Sequence, residues 1–227
     1  MHYDPRTIAF LAEVLFPPIQ LPADAVQGIH NTLFRQRELA YQSFQIAPDG
    51  IHLTNLPDSP GSVSSVTFMP DRIVVREELR ATTLEDFATR LVNVTKIGLE
   101  QLKIPFSAGQ QIVIRSLVTP RHVTDSREFL ARRMISADET PWSHFGRPFQ
   151  SAGISLMFPQ HGENTEVYSV RVETWNQDPR SLWIENVGTF TQPIQRANTP
   201  ELATNLTRTY RFVTGPVCSF LHEFDHA

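Results

Sequence analysis

The chain has 227 residues, 41% of them hydrophobic and 19% charged, with 15 Phe; that is enough apolar mass for a large core and excludes a disordered or collagen-like chain. Twenty Lys plus Arg against 24 Asp plus Glu leave a formal charge of -4, which argues against a general nucleic-acid binder. The single cysteine, Cys218, cannot close an internal disulfide or build a cysteine-based zinc site, and it points to a reducing, cytoplasmic setting.

An apolar run within residues 7–16 predicts a strand that stops at Pro17-Pro18, where the ladder loses its N–H donors. Broken by Glu13 and lacking a small-residue cleavage site, the run makes a poor secretory leader, and no stretch approaches the roughly 20 apolar residues of a membrane span. Residues 23–37 set Val26, Ile29, His30, Leu33 and Phe34 at helical spacing on one face. Alternating runs at 40–47, 50–55, 62–69 and 72–79 are separated by Pro48-Asp49-Gly50, Pro57-Asp58-Ser59-Pro60-Gly61 and Pro70-Asp71, which is turn chemistry. They predict a four-stranded antiparallel meander.

Thr82 and Glu85 have capping-box spacing and open a long helix over 83–103, with Leu84, Phe87, Leu91, Val94, Gly98 and Leu102 on one stripe. A strand at 110–118, a short helix at 125–135 and strands at 150–158, 166–176 and 181–190 follow. On the 166–176 strand, Tyr168, Val170, Val172 and Thr174 alternate inward, while Ser169, Arg171, Glu173 and Trp175 face solvent or an interface. The last helix starts at Thr199-Pro200 and runs to 224, bending near Pro216, whose ring clashes with the carbonyl of Phe212 in a straight helix.

The predicted order is β-α-β(4)-α over 1–105 and β-α-β(3)-α over 106–227, within one compact structural unit. It describes an α+β fold with mainly antiparallel sheet and long amphipathic helices on one face. The order resembles the helix-grip and TATA-binding-protein-like units, an analogy of fold that carries no function.

Few residues suggest chemistry. His222-Glu223-Phe224-Asp225-His226 fits H-E-x-x-H, which on a helix aims two histidines to one side as zinc ligands. At the frayed end of a helix it is expected to bind metal weakly or not at all. Cys218 and His222, four apart, have the spacing of a nucleophile and its base, but the apolar neighbours of Cys218 predict a buried, inert thiol. Residues 136–148 form the longest irregular stretch, and Trp142, His144, Phe145 and Arg147 are the candidate ligand-binding residues there; the competing reading makes Trp142 and Phe145 a plug for one end of the core. Arg72, Arg76 and Arg80 share a face of one strand and its extension and read as a solvated, salt-bridged edge. Arg127, Arg132 and Arg133 form a second basic cluster, diluted by Asp125 and Glu128. Phosphate-loop, dinucleotide and nucleophile-elbow motifs are absent.

Through the unit Phe68 to Leu102, which contains Leu84-Glu85-Asp86-Phe87, through Gln111 to Leu117 and through the closing helix Leu202 to Phe224, the chain resembles a sporadically distributed bacterial family of uncharacterised proteins. That resemblance implies a cytoplasmic α+β protein and brings no activity and no site residue. The leading expectation is a non-catalytic cytoplasmic protein that binds a small molecule or a protein, without cofactor, and forms a homodimer. Two alternatives stay open: a small hydrolase or isomerase-like enzyme with a pocket between sheet and closing helix, and a nucleic-acid binder using a concave sheet face.

Overall fold

The computed structural model describes residues 3–135 and 140–226. Strand β1 (Arg6–Leu15) leads through helix α1 (Ala23–Arg35) into the meander β2 (Ser43–Ala47), β3 (Gly50–Thr54), β4 (Val63–Phe68) and β5 (Arg72–Glu78), closed by α2 (Leu84–Gln101). After a short strand β6 (Phe106–Ser107) come β7 (Gly109–Val118), the turn α3 (Ser126–Glu128) with its π-helical continuation Phe129–Ile135, and α4 (Thr140–Ser143). The strands β8 (Gly153–Phe158), β9 (Val167–Thr174) and β10 (Leu182–Phe190), the short β11 (Ile194–Gln195), and the closing helix α5 (Glu201–Phe212), π-turn Val213–Val217 and α6 (Cys218–His222) complete the chain.

Nine strands form one continuous antiparallel sheet in the order β2-β3-β4-β5-β1-β7-β10-β9-β8. β1 and β7 pair at its centre, and on each side the last strand of the meander lies next to the central one. Alternation determines which face is buried: Phe10, Ala12 and Val14 of β1, Ile73 and Val75 of β5, Ile112 and Ile114 of β7, and Leu182 and Ile184 of β10 point into one core. Each of these side chains except Ala12 contributes about 1.5–3 kcal/mol of burial energy.

The long helices form one layer over that face. α1 lies on β2 and β3 and against α2; α2 lies on β1 and β5 and against α5; α5 lies on β7 and β10. Two glycines set the close approach. A Cβ on Gly98 of α2 would stand 2.8 Å from Ile73 Cδ1, and one on Gly188 of β10 would stand 2.5 Å from Thr209 Oγ1 of α5. Between α5 and the sheet, Asn186 Nδ2 donates to the Thr209 carbonyl at 3.0 Å, and Asn205 Nδ2 to Gln110 Oε1 at 3.1 Å, so the buried amides are tied across the interface.

The predicted elements are present, with local differences. The cap of α2 is Thr83, not Thr82: its side chain accepts from the Asp86 amide at 3.1 Å. Phe34 is 58% exposed and does not share the buried stripe of Val26, Ile29 and Leu33, because α1 covers only the end of the sheet. The closing helix continues through Pro216 as the π turn Val213–Val217. The wider π turn absorbs the proline, which has no N–H to place in the ladder. The β6–β11 ribbon was not expected; strands of two residues carry no readable period. Among the described residues no helix is long and apolar enough to cross a membrane.

Candidate interaction surface

The helices leave the other face of the sheet open. Following the register across its centre, one row reads Arg76, Leu11, Val113, Val187 and the next reads Glu78, Ala9, Arg115, Glu185, Arg171. The first row is apolar at its middle. The second is a chain of alternating charge: Glu78 pairs with Arg76 and lies 3.6 Å from Arg115, Arg115 Nε donates to Glu185 at 2.8 Å, and Arg171 links Glu185 at 3.6 Å to Glu173 at 2.5 Å. Ala9 is small enough for the Glu78–Arg115 pair to pass over β1, and it is buried beneath it. Trp183 of β10 lies between two of these guanidinium groups, with Arg115 Cζ 5.9 Å and Arg171 Cζ 5.6 Å from its ring centroid. Lower on the face, Arg72 reaches Glu13 of β1 at 2.7 Å and Asp71 at 3.0 Å, which raises the arginine's affinity for its proton.

The arginine series read from the sequence therefore divides. Arg72 and Arg76 belong to the open face, but β5 is interior, between β4 and β1, and is not an edge. Arg80 lies beyond the strand and turns to the helix side, where Glu77 is only 3% exposed. Ser64 Oγ donates to Glu77 Oε1 at 2.8 Å, Arg90 Nε stands 3.3 Å from the same oxygen, and Arg80 Nε stands 3.6 Å from the other. Burial raises the Glu77 carboxyl above the usual range, against the pull of Ser64 and Arg90. The Tyr41 ring lies beneath the Arg90 guanidinium at 5.2 Å, and burial pushes its hydroxyl up to about 12. Leu79 and Ala81, on either side of Arg80, hold left-handed φ values of 55° and 51°, a backbone cost of about 1–3 kcal/mol each that places Arg80 in the cluster. The adjoining space is only about 10 Å³, so this is a closed ionic hub.

Of the candidate ligand residues, Trp142 and Arg147 line one cavity of about 560 Å³ with Asp125, Glu128 and Arg132. His144 and Phe145 are not in its wall; both are exposed, Phe145 by 68%. The Trp142 ring packs 4.9 Å from Phe149. Ser136, Ala137, Asp138 and Glu139, the first part of the predicted loop, lie outside the described residues. The basic cluster is tied down: Arg127 pairs with Asp125 at 2.5 Å, Arg132 with Glu128 at 3.6 Å, and Arg133 donates to the His226 carbonyl.

The helical premise of H-E-x-x-H fails because α6 ends at His222. His222 instead packs its ring edge against Tyr3 at 5.9 Å, and His226 Nδ1 lies 3.2 Å from the Glu223 carbonyl. Asp225, between them, is buried and accepts hydrogen bonds from Tyr3 Oη at 2.5 Å and from the Arg121 and His122 amides at 2.8 and 3.0 Å. No group of three or more potential metal ligands occurs among the described residues. Cys218 is fully buried, and desolvation pushes its thiol up to about 11, far from the thiolate a nucleophile needs.

No family model and no curated protein matches the chain. The open face thus stands on its own geometry. Its polar half was readable in the alternation of β9, as Ser169, Arg171 and Glu173. Its continuity across the sheet was not, because strand order joins residues far apart in the chain, such as Ala9 and Glu185, in one row.

Proposed function

We propose that this is a non-catalytic, cytoplasmic interaction protein that covers the open face of its sheet with a second copy of itself. The observation that carries the reading is the one-sided sheet. The accessible surface of 12414 Å² compares with about 10,500 Å² for a compact monomer of this mass. A standard interface removes about 800 Å² from each partner, and a face-to-face sheet pair is an ordinary way to do so. The face also suits a copy of itself. Arg72, Arg76, Arg115 and Arg171 are balanced by Glu13, Glu78, Glu185 and Glu173, so two faces do not repel as wholes, and Leu11, Val113 and Val187 supply an apolar centre.

The same balance leaves no positive strip for a nucleic-acid backbone. Catalysis draws less support because the buried carboxylates, Glu77 and Asp225, close on their own partners. A buried thiol with depressed reactivity fits a reducing compartment.

Light scattering after size exclusion tests the reading. The native chain should run at twice 25.8 kDa, and Val113→Arg with Val187→Arg, at partly exposed positions of the open face, should run as a monomer with an unchanged circular dichroism spectrum. A native chain that remains monomeric at about 100 µM, where even a weak dimer assembles, overturns it.

A further inference from the structure

On the helix side of the sheet, β8 and β9 reach past the layer that α5 lays over β7 and β10. In the other half, α1 covers the outer strands β2 and β3. Among the described residues the end of the closing helix stands beside β8 and β9, and a cavity of about 460 Å³ remains, walled by Leu156, Phe158, Val170, Val172, Phe212 and Phe220. Its size is that of a small-molecule site. Two of its aromatic rings are left partly in water, Phe158 by 40% and Phe220 by 39%. The π turn Val213–Val217 forms part of this wall through Pro216 and Val217, and such turns recur where a helix borders a ligand.

The groove is polar at one end. Past Phe158, Phe212 and Pro216 it widens into a mouth of about 910 Å³ bordered by Arg208 and Arg211 of α5 and by His161, Glu163 and Glu166 of the β8–β9 connection. Arg208 and Arg211, three apart, project from one side of the helix. The arginines of the open sheet face each hold a carboxylate; among the described residues no carboxylate lies within salt-bridge distance of Arg208 or Arg211. Glu163 and Glu166 of the β8–β9 connection line the same mouth, beyond salt-bridge distance of both arginines. The charge complement that the helix rim lacks is an anion, and the complement of the inner wall is an alkyl chain.

We infer that this groove binds a single-chain amphiphile with a carboxylate head, its alkyl chain against Leu156, Phe158 and Phe220 and its head on the Arg208 and Arg211 guanidinium groups. Two planar guanidinium forks match a carboxylate by charge-assisted hydrogen bonds, and an alkyl chain filling the groove takes the partly wet phenylalanines out of solvent.

Calorimetric titration of the full chain with dodecanoate is the test. Native protein should bind it, and dodecanol, which keeps the chain and loses the charge, should bind about tenfold more weakly, as should dodecanoate to the Arg208→Gln/Arg211→Gln variant. Both arginines are exposed, so that variant keeps the fold. Leu156→Trp, which fills the groove from its open flank, should abolish binding. The monomeric Val113→Arg/Val187→Arg variant should bind as the native chain does, since the groove lies on the other side of the sheet; this separates the ligand site from the dimer. No binding at about 1 mM dodecanoate, equal affinity for dodecyltrimethylammonium, or unchanged affinity in the arginine variant overturns the inference.

Discussion

Asp225 gathers three hydrogen bonds, one from Tyr3 near the start of the chain and two from the backbone after β7. Burial opposes its ionisation, but those donors outweigh it and hold the carboxyl below the usual range. A carboxyl depressed in the folded state contributes stability above its unfolded pKa, near 3.9, and loses it as pH falls through the folded value. Asp225→Asn should therefore cost about 1–3 kcal/mol in urea melts at neutral pH, and the native and variant curves should converge in acid. At Cys218, burial predicts slow thiol labelling at neutral pH and a cost of about 1–3 kcal/mol for Cys218→Ser, whose hydroxyl enters an apolar site. Phe220 differs from its fully buried neighbour Cys218. Partly exposed in the groove, it should lose about 1–2 kcal/mol on change to Ala, below the 3–5 kcal/mol typical of a fully buried Phe.

Among the elements, α2 and α5 are held close to the sheet by the absence of a side chain at Gly98 and Gly188. Gly188→Val should destabilise by about 1–3 kcal/mol, because its branches meet Thr209, Phe190 and Tyr168. Thr83→Ala should cost about 1 kcal/mol by leaving the Asp86 amide uncapped, whereas Thr82→Ala should be close to neutral. The two melts distinguish the observed cap from the one read out of the S/T-x-x-E spacing. Both threonines offer a hydroxyl before the same apolar stripe, and only the entry angle of the chain selects Thr83.

Across the whole molecule, β1 and β7 pair over their length at the middle of one sheet. Residues 1–105 or 106–227 alone would leave that central strand as a long unpaired edge. Expressed separately, each piece should lack cooperative unfolding and bind the dye ANS, while the intact chain should unfold in one urea transition seen alike by tryptophan fluorescence and far-ultraviolet circular dichroism. A separate, cooperative transition for either piece would contradict a single shared core.

Local pattern was sufficient for most of the elements. The two-residue alternation of Tyr168, Val170, Val172 and Thr174, the Pro-Asp turns of the first meander and the stripe Phe87, Leu91, Val94 and Gly98 are properties of neighbours in sequence, so they are legible without any tertiary contact. The burial of Cys218 followed in the same way from its apolar neighbours. What only the tertiary structure decided depends on which elements lie side by side. Strand order put Arg115 and Glu78 in one ionic chain over Ala9, turned Arg80 away from Arg76, and left only the end of the closing helix among the described residues to line the groove beside β8 and β9. The end of α6 at His222 removed the helical spacing that H-E-x-x-H requires, and the chain beyond it brings Asp225 to Tyr3 and to the Arg121 and His122 amides. Such outcomes rest on contacts between residues far apart in the chain, whose geometry no short sequence window contains.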